Sequence, residues 1–214
     1  MNIQAQPEGL ESCVVACWSC KGPASPRALF CSVCNAVQPP RAVDHFQRLG
    51  LLPGFEIDLA QLERHYFGLQ RKLHPDRFAG RTGCEKLYSQ QQATQLNEAY
   101  ETLKDPMRRA VYLLKLAGRA ADADPKGTVS DPALLMESME AREALAEAET
   151  SAEAGAVLIR AEADIASGIA DLAQAFAERR LDQAEKLVLR LKYLSRLAEE
   201  ARAHKARLAR SAGE

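Results

Sequence analysis

With 214 residues, 47% of them hydrophobic, and a formal net charge of -1 at pH 7, the chain is long enough to bury a sizeable core as one domain or two small ones. That balance excludes a disordered polymer and any global basic field that would hold nucleic acid or a membrane surface, so an electrostatic partner must be met by a local patch. The first 26 residues hold no arginine, one lysine and two glutamates, and no apolar run there reaches the length of a signal core or a membrane span. A cytoplasmic protein without membrane contact is therefore expected.

Residues 1–40 are rich in Cys, Pro, Gly and Ser and poor in apolar residues, a composition that needs a staple to fold. The staple is legible. Cys17-Trp18-Ser19-Cys20 and Cys31-Ser32-Val33-Cys34 are two C-x-x-C pairs ten residues apart, and in a reducing compartment such pairs ligate metal rather than form disulfides. Two knuckles bring Cys17, Cys20, Cys31 and Cys34 to the corners of a tetrahedron around one structural zinc, with no position open for water. Iron in a rubredoxin-type site and free thiols are the alternatives. Cys13 competes for a ligand place only by breaking the knuckle symmetry, and Cys84 reads as an inert small residue.

Residues 41–118 carry helical signals. The run DHFQRLGL is one short helix, and Asp58 with Gln61 forms a candidate capping box for a second. Leu62, Tyr66, Leu69 and Leu73 then follow at helical steps along one side. That helix ends at His74-Pro75-Asp76, because proline lacks a backbone donor and forces the preceding residue out of helical geometry. Leu96, Tyr100 and Leu103 line a third helix, and Asp105-Pro106 reads as the cap and first residue of a fourth. The result is a helical hairpin with a tight loop at its tip. Residues 64–81 are basic, with Arg64, Arg71, Lys72, Arg77 and Arg81 opposed by Asp76 alone, a net +4.

Residues 119–132 are turn-rich and aperiodic and read as a linker, after which Asp131-Pro132 restarts a helix. Residues 133–214 hold three helices. The second carries a stripe of Leu158, Ile165, Ile169, Leu172 and Phe176, and the third one of Ala184, Leu187, Leu191, Leu194 and Ala198. A three-helix bundle or an antiparallel coiled hairpin buries both stripes. Its first helix is acidic: residues 131–153 hold seven carboxylates against Arg142, a net -6. No β-alternation, nucleotide-binding glycine loop or internal repeat is present.

HYFGLQRKLHPDRF followed by QQQATQLNEAYETLKDPMRRAVYLLKLAG resembles the J domain of HscB-type co-chaperones, and the likeness continues through LLMESMEAREAL and LRLKYLSRL. The cysteine segment is similar to the amino-terminal tetracysteine module of some members. The resemblance implies an all-α fold: a J domain, in which the helical hairpin carries the HPD loop, joined to a three-helix bundle. It also implies two partners, a DnaK-class chaperone specialised for iron–sulfur assembly (HscA-like) and an iron–sulfur scaffold protein (IscU-like). His74, Pro75 and Asp76 would contact the chaperone, with Arg71, Lys72 and Arg77 in electrostatic support. The client-binding residues would be Leu135, Met136, Met139, Glu140 and Glu143, with Tyr193 from the last helix. Helical spacing independently puts Met136, Met139, Glu140 and Glu143 on one stripe, although Leu135 and Met139 also fit the spacing of a bundle core.

Three other functions compete. A zinc-knuckle nucleic-acid-binding protein would use the +4 segment, but the near-neutral total charge of the chain argues against it. A zinc hydrolase is disfavoured because all four candidate ligands are thiolates. A general J protein would offer the methionines to many clients. No nucleophile with a paired base and no open metal position is legible, so no catalysis by the chain itself is expected.

Overall fold

The computed structural model describes residues 14–119 and 132–211. Cys13, the Asp131 cap and nearly all of the 119–132 linker lie outside those residues. Two-residue strands β1 (Val15–Ala16) and β2 (Pro23–Ala24) pair antiparallel. Helices follow: α1 (His45–Leu49), α2 (Leu59–Leu73), α3 (Gly83–Lys104), α4 (Pro106–Leu116), α5 (Pro132–Ala146), α6 (Ser151–Ala177) and α7 (Leu181–Ser211), with a 3-10 turn at Pro75–Phe78 between α2 and α3. The expected all-α architecture is present, and the strands add only a small clip within the cysteine segment. None of the described helices is long and apolar enough to cross a membrane.

The helix ends follow local chemistry. Asp58 accepts from the Ala60 and Gln61 N–H groups at the start of α2, and Asp105 accepts from Arg108 N–H ahead of Pro106 at the start of α4. A reciprocal capping box opens α6, where Thr150 and Glu153 each satisfy the other's backbone donor.

The described residues form two compact units, one built from residues up to Leu52 and from Asp58–Glu101, the other from Pro53–Ile57 and from Thr102 onward. These differ from the segments read along the chain. In the first unit the cysteine segment, α1, α2 and α3 up to Glu101 share one body. Phe46, Leu49, Leu62, Leu73, Leu96 and Ala99 are buried there, and Tyr66 stacks on Tyr100 with ring centroids 4.0 Å apart. Leu69 is only half-buried.

In the second unit α4 packs with α6 and α7, because Ala110 and Leu114 join Leu172, Ala175, Val188 and Leu191 in one core. Phe55 belongs to it too, stacked on Phe176 at 5.3 Å and covered by the Arg109 guanidinium at 5.1 Å. A second apolar cluster joins α5 to α6 and α7 through Leu145, Ala154, Leu158, Leu197 and Ala201. Along α7, Val188 rather than Leu187 is the fully buried residue.

Two glycines of α6 make opposite demands. A Cβ at Gly168 would stand 2.8 Å from Leu191 Cδ2 and 3.2 Å from its Cγ, whereas one at Gly155 would meet only the flexible end of Lys205 at 3.5 Å. Gly155→Ala should raise stability by about 0.5–1 kcal/mol, because alanine loses less backbone entropy on entering a helix. Gly168→Ala should lower it, since overpacking at a fixed core leucine costs about 1–3 kcal/mol against that same gain. Paired denaturation midpoints of the two variants check the opposite signs.

Candidate functional site

The tip of the α2–α3 hairpin is built from anchors beneath and exposed groups above. Leu73 and Phe78 are buried on either side of the turn, and the buried Ser89 hydroxyl of α3 donates to the Leu73 carbonyl at 2.7 Å. His74 is extended, at φ -57° and ψ 129°, the conformation a residue before proline is driven into. Its Nδ1 accepts from the Asp76 N–H at 3.4 Å, so the imidazole itself caps the 3-10 turn. The Asp76 carboxylate lies 3.5 Å from that nitrogen and its side chain is 90% exposed. Proline therefore holds a carboxylate outward on a rigid turn. Arg71, Lys72 and Arg77 are exposed in the same unit, with Arg71 Nε donating to the Phe67 carbonyl at 3.3 Å. Cys84 lies exposed in the first turn of α3.

The four cysteines converge. Their Sγ atoms all lie within 4.8 Å of one another, with Cys17–Cys34 and Cys20–Cys31 each at 3.8 Å. Four thiolates around a tetrahedral ion with metal–sulfur bonds of about 2.3 Å stand about 3.8 Å apart, so the donor set is able to hold a metal ion. Backbone geometry repeats between the knuckles. Cys17 N–H donates to Gly22 and Cys31 N–H to Ala36; Lys21 N–H donates to Cys17 and Asn35 N–H to Cys31. Lys21 and Asn35 both adopt the left-handed conformation, at φ 62° and 57°. The repeat escapes a reading of residue types because only the cysteines recur in identity.

N–H groups also point at the sulfurs. Ser19 donates to Cys17 and Val33 to Cys31, each at 3.4 Å, and the buried Gln38 amide donates to Cys17 at 3.3 Å. The Cys20 N–H, opposed by burial and helped by Ser19 and Gln38, pulls the Cys17 thiol from 9.0 down to about 6. Against the lowering Gly22 N–H, the Cys34 sulfur and burial push Cys20 up to about 11.

The segment is fastened to α3. Trp18 meets Tyr88 edge to face at 5.4 Å and donates its indole N–H to the Val37 carbonyl at 2.7 Å. Gln92 donates to the Gln38 carbonyl at 3.0 Å and accepts from Arg48 at 3.0 Å.

On α5, Leu135, Met136 and Met139 are 48%, 63% and 62% exposed, and Glu140 and Glu143 are exposed beside them. The core alternative for Leu135 and Met139 is overturned. Leu134 and Leu145 are the buried residues of α5, eleven positions apart and thus on one face after about three turns. The Arg190 guanidinium clasps Glu137 through both carboxylate oxygens, at 2.6–3.2 Å, and ties α5 to α7. That hydrogen bonding holds the Glu137 carboxyl below its ordinary range, opposed by partial burial and aided by the charges of Arg190 and Arg160. The stabilisation is thus full at neutral pH and is lost as pH falls through the lowered value. Tyr193 is half-buried and lines, with Glu140, a groove of about 170 Å³ between α5, α6 and α7; Leu135, Met136, Met139 and Glu143 lie outside that groove.

An HPD turn at the tip of a helical hairpin is the signature of a J-domain co-chaperone, and residues 44–112 match the DnaJ domain family. Residues 130–202 match the family described as the HSCB C-terminal oligomerisation domain. The chain is 36% identical to the iron–sulfur cluster co-chaperone protein HscB homolog of Arabidopsis thaliana, covering 86% of this chain and 72% of that one. It is 40% identical to the co-chaperone protein HscB homolog of Aeromonas hydrophila, over 74% and 94%. Its structure is similar to the crystal structure of human HscB, with a TM-score of 0.81 and 34% identity over 88% of this chain and 98% of that one. It is also similar to HscB from Vibrio cholerae, with a TM-score of 0.67 and 35% identity over 78% and 99%. The chain belongs to the HscB family of iron–sulfur cluster co-chaperones.

Proposed function

We propose that this co-chaperone binds an IscU-like iron–sulfur scaffold protein through α5, delivers it to an HscA-like chaperone of the DnaK class, and stimulates that chaperone's ATPase through the HPD turn. The observation that carries the reading is Asp76, 90% exposed at its side chain on a turn whose flanks are buried. A carboxylate held out in this way suits a charge-assisted hydrogen bond to a partner cation. Arg71, Lys72 and Arg77 steer an acidic chaperone surface and raise the rate of encounter. The chain turns nothing over itself; it favours one chaperone conformation by binding it better than the other. It works in the cytoplasm. The ion held by Cys17, Cys20, Cys31 and Cys34 is one zinc, which with its sphere closed by thiolates supplies structure only.

Client binding rests on Leu135, Met136 and Met139, three large apolar side chains exposed close together on α5, with Glu140, Glu143 and Tyr193 orienting the partner. Thioethers give adaptable apolar contact. Alanine at Leu135, Met136 or Met139 should weaken scaffold affinity by about 1–3 kcal/mol while leaving the melting temperature near wild type, because none of the three is core. Tyr193→Ala should lower both, since that half-buried side chain also lines the groove between α5, α6 and α7. Titration calorimetry of the apo scaffold protein against each variant, beside thermal melts, checks this. Wild-type affinity in all four would remove the client assignment.

A further inference from the structure

A cleft of about 350 Å³ opens beside the HPD turn, and its wall is shared between two parts of the first unit. Lys72, Arg77 and Arg81 come from the hairpin tip, and Phe30 and Asn35 come from the cysteine segment. None of the three cations has a carboxylate within 4.0 Å among the described residues. Glu85 is the one acid on the wall, and it is engaged elsewhere: its carboxylate accepts from the Thr82 N–H at 3.2 Å and the Thr82 hydroxyl at 3.0 Å, closing the start of α3. Three cations therefore face the cleft against one occupied carboxylate. Asn35 is fixed by its knuckle, left-handed at φ 57° with its N–H on the Cys31 carbonyl at 3.0 Å. The half-buried Phe30 sits in the same loop, bridged to Val37.

These groups recognise different parts of one kind of ligand. Guanidinium and ammonium groups take carboxylates, an amide side chain takes a peptide group, and an aromatic wall takes an apolar side chain. The cleft has the size of a small-ligand site and admits a few side chains of an extended segment rather than a folded surface. We propose that the cysteine segment is part of the chaperone interface, and that this cleft takes an acidic, partly apolar segment of the DnaK-class chaperone. The inference rests on the function proposed above. In this arrangement the metal-stapled knuckle holds Phe30 and Asn35 against the basic side of the HPD turn.

The test uses the full chain and a purified DnaK-class chaperone, with the co-chaperone concentration for half-maximal ATPase stimulation as the readout. Arg81→Glu should raise it about five-fold or more. Asn35→Gly, which keeps the left-handed backbone while deleting the amide, should raise it about two-fold with metal content and Trp18 emission unchanged. Arg210→Glu, an equal charge reversal on an exposed face of α7, should not move it. A photo-reactive benzoylphenylalanine placed at Phe30 should form an adduct that maps to an acidic stretch of the chaperone. If wild type stimulates and Asp76→Asn does not, yet Arg81→Glu and Asn35→Gly match wild type, the cleft is not part of the interface. An adduct to the scaffold protein instead of the chaperone overturns the proposal equally. A wild type that stimulates no DnaK-class ATPase fails the proposed function first and removes the occupant named here with it.

Discussion

Asp76→Asn should reduce the stimulation of a DnaK-class ATPase to near the basal rate while the helices stay folded. The substitution preserves shape and removes the formal charge from a side chain that is 90% exposed. Folding loses little, within about 0.5 kcal/mol, because the carboxylate is almost fully exposed and its ion-pair partner among the described residues is the half-exposed His74 ring. Binding loses a charge-assisted hydrogen bond, which with its partner left unpaired is worth about 1.5–3 kcal/mol, or on the order of 10–100-fold. Steady-state ATP hydrolysis and far-ultraviolet circular dichroism of the same preparation separate the two effects. Full stimulation by the variant would remove the HPD turn from the chaperone contact.

Stripping the metal should unfold residues 14 to about 40 and spare the helices. The segment's buried apolar set is small, consisting of Cys17, Ala24, Cys31, Ala36 and Val37. Ordering each residue costs about 1–2 kcal/mol of backbone entropy, far more than those side chains return, so the ligand bonds supply the difference. Trp18 is the only tryptophan in the chain and lies inside the segment, edge to face with Tyr88. A chelator should therefore shift its emission to the red without changing the helical signal. Iron found by elemental analysis, or a Trp18 spectrum indifferent to chelation, would contradict the zinc staple.

Local chemistry was legible where one or two residues decide the backbone. Asp58 and Asp105 start their helices as capping rules expect, and the break at His74-Pro75 follows from the missing donor and the restricted residue before proline. The two C-x-x-C pairs announced a four-sulfur cluster because the spacing leaves few other uses. What stayed hidden depends on contacts between distant residues. Nothing local distinguishes Ser89 and Gln92 from solvated positions on α3, yet both are buried, one holding the Leu73 carbonyl and the other the Gln38 carbonyl. Likewise Asp105-Pro106 marks where α4 begins but not that Ala110 and Leu114 join the core of α6 and α7.

On α5 five large apolar residues fall on more than one face, so periodicity alone cannot choose the buried one. The choice is made by Leu134 and Leu145 packing inward and by Arg190 clasping Glu137, which leaves Leu135, Met136 and Met139 in water. A candidate client surface thus became visible only once its helix was seated.

The most direct test of the central claim is a single ATPase titration in which the chaperone is held with saturating ATP and the full chain is added with and without apo scaffold protein. A protein that engages both partners should stimulate hydrolysis alone and do so more than additively with the scaffold present, with Met136→Ala losing only the scaffold-dependent part. A rate unchanged by the chain, in the presence and absence of scaffold, would contradict the account.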